Sequence, residues 1–157
     1  MGAAATAGPE VLIAISLGAA IAAASVATSV APSLRLAVAV RVFGVIVMWL
    51  GIAARVWAVA ALGGAFRTTV EVDPDQAVVT TGPYQWIRHP SYVGLLLIIA
   101  GLGLALGNWL SLAACLVLPL RAIAWRIHVE EAELSRVLGD AYRAYQKRTA
   151  RLIPGLW

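Results

Sequence analysis

PSYVGLLLIIAGLGLALGNWLSLAACLVLPLRAIAW, residues 90–125, decides how this chain is read. From Ser91 to Leu120 it carries no charge. One helix over those 30 residues would reach about 45 Å, well beyond a hydrocarbon core of about 30 Å. Gly107-Asn108 is a turn signal near the middle of the run. We therefore expect two shorter spans, residues 91–106 and 109–125, joined by a tight hairpin. Pro90 suits the start of the first, because the N–H it lacks has no helical partner in a first turn.

Outward from this hairpin the whole chain reads as membrane-embedded. Of its residues, 61% are hydrophobic and 13% charged, where soluble domains carry roughly 45–50% and about 25%. Residues 11–31 are uncharged, long enough to cross, and rich in the small side chains that let helices approach closely. Residues 35–63 form the second expected span, with Arg41 and Arg55 snorkelling to opposite headgroup regions and Gly63-Gly64 ending it. In the loop 65–89, two β-prone stretches flank the turn Asp73-Pro74-Asp75, which predicts a short interfacial hairpin or extended segment. The tail, 126–157, is too polar to span and is divided by Gly139, so two amphipathic helices on the membrane surface are expected. The first ten residues lack the basic segment of a secretory signal. The expected fold is all-α and integral to the membrane. It is one domain, a four-span helical bundle with a short interfacial β-prone loop and C-terminal amphipathic helices.

Charge gives the orientation. The loop and tail hold Arg67, Arg88, Arg126, Arg136, Arg143, Lys147, Arg148 and Arg151, while the opposite side has only turns near Arg35 and Asn108. The positive-inside rule places the loop, the tail and both termini on the cytoplasmic face of the cell membrane. The net charge of +4 sits beside the membrane rather than in a stripe interleaved with aromatics, so nucleic acid is not an expected partner. Cys115, the sole cysteine, lies in an apolar run and reads as a small buried hydrophobe. With two histidines and no His/Cys cluster, no metal site is expected.

Ahead of the hairpin, residues 82–94 form a polar and aromatic island, GPYQWIRHPSYVG. Four spans return the chain so that this island meets the tail. Arg126 and Glu130 are i and i+4 and share a helix face. His89 precedes a helix start, a natural seat for an anionic group. Tyr84, Trp86, Tyr92, Tyr142 and Tyr145 could wall a pocket for a flat or cationic ligand. The plainer readings are an interfacial aromatic belt and a surface ion pair worth little. Nucleophile-elbow, phosphate-loop and dinucleotide motifs do not occur.

Gly82-Pro83-Tyr84, Arg88-His89-Pro90-Ser91-Tyr92 and Gly94 form one half of a pattern. Some 40 residues on come Glu130-Glu131-x-x-Leu134, Gly139-x-x-Tyr142-x-x-Tyr145 and Leu152-Ile153-Pro154. This ordered set, over residues 55–154, resembles the isoprenylcysteine carboxyl methyltransferase family and its bacterial relatives. The resemblance implies an integral membrane enzyme that uses S-adenosylmethionine to methylate a carboxylate on a lipophilic molecule at the cytoplasmic face. It implies a cofactor site of Tyr84, Arg88, His89, Pro90, Tyr92, Gly94, Glu131, Leu134, Tyr142 and Tyr145. It places Arg126 and Glu130 at the reacting centre, and Arg55, Trp125 and His128 along the substrate. The chain has fewer spans than the eukaryotic enzymes, and its Ala-, Val- and Arg-rich composition suggests a bacterial chain. A small isoprenoid or fatty acid-like acceptor is therefore expected over a prenylated protein.

Elementary chemistry agrees with this resemblance. A sulfonium cation is held by aromatic faces and carboxylates. A carboxylate acceptor is already ionised near neutral pH and needs alignment rather than a base. The alternatives are a thiol or phospholipid-amine acceptor, an NADPH-dependent sterol or enone reductase, which can share an Arg-His-Pro and C-terminal Tyr pattern, and a non-catalytic membrane scaffold.

Overall fold

The computed structural model describes residues 9–63, 77–155 and 157. Helix α1 spans Pro9–Val30, α2 Val38–Leu62, α3 Pro90–Ala105, α4 Trp109–Val137 and α5 Gly139–Gln146, with short 3₁₀ turns at Pro32–Leu34 and Gly82–Gln85. Packing pairs α2 with α3, α1 with α4, and α3 with α4.

The α2–α3 pair is built on glycine. Gly44 and Gly51 on α2 meet Gly101 and Gly94 on α3, running in opposite directions, with the same seven-residue step on each helix. That step returns to one face every two turns, so both contacts lie on a single seam. A Cβ on Gly101 would sit 2.5 Å from the Met48 backbone nitrogen and 2.6 Å from the Gly44 carbonyl oxygen. These are backbone atoms that cannot turn aside. In a lipid environment helices associate through such close packing rather than through hydrophobic burial. Gly101→Ala is therefore expected to destabilise the protein by about 1–3 kcal/mol. Thermal unfolding in detergent reads this directly, and an unchanged midpoint would show that the seam is not tight in solution.

The α1–α4 pair uses alanine and two polar anchors. Ala20, Ala24 and Ala27 are buried on one face of α1. The buried hydroxyl of Ser111 donates to the Ala24 carbonyl at 2.7 Å, and the Asn108 amide donates to the Ala31 carbonyl at 2.7 Å. Asn108 also caps α4, its side-chain oxygen accepting from the Leu110 N–H at 2.8 Å. The expected α3–α4 turn is present. Gly107 takes φ 75°, a left-handed conformation that costs glycine nothing, and its carbonyl accepts from the Leu36 N–H at 2.7 Å.

Three expectations are corrected. The first is the four-span bundle. Among the described residues, three helices are long and apolar enough to cross a membrane, α1 from Glu10, α2 and α4. Helix α3 has 16 residues, about 24 Å, short of a hydrocarbon core of about 30 Å. Pro90 and Gly107 fix its two ends. The second is the separation of a surface helix from the last span. Helix α4 runs unbroken for 29 residues to Val137, through the buried Pro119 and past Trp125. The loss of hydropathy after Trp125 marks a change of surroundings, not of backbone. The third is the β-prone loop. Residues 64–76 lie outside the described residues, residues 77–80 carry no regular structure, and no strand occurs among the described residues. The chain is a multi-pass membrane protein in which α3 packs as a shorter apolar helix against α2 and α4.

Candidate functional site

Pro90 starts α3 and leaves His89 as its capping residue. Just upstream, residues 86–89 run beside residues 150–151. The Arg88 N–H donates to the Ala150 carbonyl at 2.8 Å, the His89 N–H to Arg151 at 3.1 Å, and the Ala150 N–H to Trp86 at 3.1 Å. This pairing draws the C-terminal segment over the charged part of α4. There Arg126, Glu130 and Glu131 occur at i, i+4 and i+5, close to a single helix face.

Glu131 is the centre of one network and only 4% exposed. Arg88 Nε donates to its Oε1 at 2.7 Å, His89 Nε2 lies 3.3 Å from the same oxygen, and Arg151 Nε donates to Oε2 at 2.9 Å. Arg88 Nη1 also donates to the Gln146 carbonyl at 3.0 Å and to that of Thr149, satisfying the open end of α5. A carboxylate this buried is tolerated only when donors replace its lost water, and here three do so.

Arg126 is the centre of the second network and 5% exposed. Its Nε donates to the Tyr92 hydroxyl at 2.6 Å, and that hydroxyl donates to Glu130 Oε2 at 2.8 Å. Arg126 Nε lies 3.8 Å from Glu130 Oε2, and Arg126 Nη1 lies 3.3 Å from Glu10 Oε2. The His89 and Tyr92 rings stack with centroids 5.7 Å apart, which joins the two networks.

Aromatic side chains close one side. The Tyr145 hydroxyl donates to the Tyr84 carbonyl at 2.7 Å, and the Tyr142 and Tyr145 rings lie 5.9 Å apart. Burial, against the pull of the Arg88 guanidinium, pushes the Tyr145 phenol up to about 12. Burial likewise raises Tyr84, helped by Tyr145 and Glu130, and raises Tyr142, helped by Glu131. All three are neutral donors and flat walls at physiological pH, not bases. A half-open cavity of about 260 Å³ lies against Tyr145, Gln85 and Arg148.

The structure thus brings together Tyr84, Arg88, His89, Tyr92, Arg126, Glu130, Glu131, Tyr142 and Tyr145. The remaining expected residues take other positions around this cluster. A Cβ on Gly94 would meet the Arg55 backbone nitrogen at 2.7 Å, so this glycine serves the α2–α3 contact. Arg55 Nη1 donates to the Ser91 carbonyl at 3.2 Å and hydroxyl at 3.1 Å, tying α2 to the first turn of α3. Leu134 is half-buried one turn beyond Glu131. Trp125 and His128 are exposed, and the His128 ring faces Trp157 at 6.2 Å. Two residues absent from the expected site belong to these networks, Arg151 and Glu10. Arg151 adjoins the Leu152-Ile153-Pro154 motif and could have been found through it. Glu10 has no local signal that pairs it with a residue 116 positions away.

Fold and site together define a multi-pass membrane protein with a charged, aromatic-walled cluster at one end of its helices. The model of the Isoprenylcysteine carboxyl methyltransferase (ICMT) family matches residues 43–136. The chain belongs to this family. It is 31% identical over 132 residues to protein-S-isoprenylcysteine O-methyltransferase of Xenopus laevis, covering 83% of this chain and 46% of that protein. It is 38% identical over 80 residues to the Schizosaccharomyces pombe protein of the same name, covering 51% of this chain and 34% of the relative. The chain therefore spans less than half the length of either. A solved structure of the eukaryotic intramembrane Ras methyltransferase, isoprenylcysteine carboxyl methyltransferase, superposes with a TM-score of 0.73 at 29% identity, over 97% of this chain and 55% of that one.

Proposed function

We propose that the chain is an S-adenosylmethionine-dependent methyltransferase that esterifies a carboxylate on a small lipophilic molecule, isoprenoid or fatty acid-like, at the membrane face. One observation carries this reading. A buried arginine, Arg126, is held by Tyr92 at 2.6 Å beside an ionic cluster, on a fold shared with a carboxyl methyltransferase.

The donor set fits the cofactor. Its amino-acid portion needs a cation and an anion, and its sulfonium needs a carboxylate or an aromatic face. Arg88 and the N-terminus of α3, which His89 precedes, supply the first, Glu130 the second, and Tyr84, Tyr92, Tyr142 and Tyr145 the walls. When bound, S-adenosylmethionine would supply an activated methyl group and leave as a neutral thioether, with no proton exchanged. The chain's own part is positioning. Arg126 offers a fork of N–H donors that suits a carboxylate. Tyr92 fixes the guanidinium by accepting from Nε, and Glu130 fixes Tyr92 by accepting a hydrogen bond from its hydroxyl. Glu131 serves the cofactor side by aligning Arg88 and His89 rather than by offering a free carboxylate. Arg55 holds the first turn of α3, and Trp125 and His128 line the path of the lipid tail. Exclusion of water at this depth strengthens each charged contact.

The site end is the cytoplasmic end in this reading. Arg88, Arg126, Arg136, Arg143, Lys147, Arg148 and Arg151 cluster there, against Arg35 and Arg41 near the α3–α4 turn, as the positive-inside rule requires. The Glu10–Arg126 contact puts the start of α1 at the same end.

Calorimetry in detergent with S-adenosylhomocysteine tests the proposal. We expect saturable binding, and at a hundredfold excess over Kd a stabilisation of about 2.7 kcal/mol against heat. NADPH should do neither. Intact protein that ignores S-adenosylhomocysteine sinks the methyltransferase reading, and binding of NADPH instead supports a reductase.

A further inference from the structure

We infer that Glu10 is a tethered carboxylate seated on Arg126 in the acceptor's place, and that a lipophilic carboxylate must displace it to bind. The inference rests on the reading of Arg126 as the acceptor's anchor. It concerns a residue outside the matched stretch 43–136 and adds a built-in competitor to the site.

The geometry points to it in three ways. First, Arg126 Nη1 meets Glu10 Oε2 at 3.3 Å, the same kind of group that the acceptor would offer it. Second, the charges already exceed balance. One guanidinium faces both Glu10 and Glu130. An incoming carboxylate would join two acids already placed at this guanidinium, and like charges at short range repel. One acid must therefore give way.

Third, the two acids are held differently. Glu130 shares a helix with Arg126 and accepts a 2.8 Å bond from the Tyr92 hydroxyl. Glu10 stands on the first turn of another helix, its side chain is 41% exposed, and its contact with Arg126 is longer. A carboxylate at a helix N-terminus is also stable facing solvent, because the helix dipole favours it there. Glu10 is the acid that can swing out at least cost. In place, it adds a second carboxylate to the guanidinium between substrates. A residue that only buttressed Arg126 would have the opposite effect when removed, since losing it would loosen the anchor.

The test uses the full chain in neutral detergent micelles and decanoate labelled with ¹³C at the carboxyl carbon. The carboxyl shift reports pairing with a guanidinium, whatever the tail does in the micelle. Glu10→Gln and Glu10→Ala should each tighten decanoate binding roughly three- to tenfold, the scale of a partly exposed charge pair. Arg126→Ala should abolish the shift change. Unchanged or weaker binding in both Glu10 variants overturns the inference, and so does the absence of decanoate binding in every protein. S-adenosylhomocysteine calorimetry on the same samples separates this result from the fate of the methyltransferase reading. Cofactor binding with no effect of Glu10 removes the competitor alone. A Glu10 effect without cofactor binding removes the methyltransferase and leaves a carboxylate site.

Discussion

Arg126→Ala should lower methyl transfer about 10²- to 10³-fold, the usual loss when one charged donor is taken from a reacting centre. The side chain is buried and held by Tyr92, so its direction is set before any acceptor arrives. Removing it leaves a carboxylate acceptor without a partner and without alignment. On the cofactor side, Arg88 and His89 are anchored separately, through Glu131. Affinity for S-adenosylhomocysteine should therefore stay within about threefold of the parent, which marks the effect as one on the acceptor side. Turnover with a labelled methyl donor and calorimetry on the same protein measure both quantities. A drop in cofactor affinity to match the drop in turnover refutes the division between the two networks.

The second large effect is expected at Glu131. Replacing it by alanine takes the shared anion from three groups, Arg88, His89 and Arg151, of which His89 is buried and Arg88 partly so. Breaking a buried pair by removing one member typically costs about 3–5 kcal/mol, because the partner is left desolvated without compensation. The pairing of residues 86–89 with 150–151 depends on the same contacts, so the C-terminal segment should detach first. We expect a lower unfolding midpoint, faster proteolysis after about residue 147, and loss of cofactor binding together. Glu131→Gln keeps the shape and one acceptor oxygen, so it should retain part of the stability. A Glu131→Ala protein that binds S-adenosylhomocysteine normally and unfolds at the parent temperature would falsify the central role given to this carboxylate.

Much of the site was legible because its markers are local. Pro90 announces a helix start, Gly107-Asn108 a reversal and Gly139 a break, and each occurs where backbone chemistry demands it. Once the reversal is known, the island before Pro90 and the charges after Trp125 must face each other, and His89 and Glu131 do so at 3.3 Å. Other features were not legible. The polarity change at Trp125 suggested a boundary, but α4 continues through it, as it does through Pro119. Gly94 sits inside a motif, yet it is Arg55 on α2 that occupies the space beside it.

By itself, then, the sequence determined the membrane class, most of the helix ends and the set of charged residues available to a site. Each of these follows from hydropathy or from the backbone preferences of a few residues. Only the tertiary structure decided the partners. Glu131 takes Arg88, His89 and Arg151, while Arg126 takes Tyr92 and Glu10. Those choices depend on how closely α2 and α3 approach at their glycines and on how α1 lies against α4. Contacts of that kind join residues far apart in the chain, and no local pattern records them.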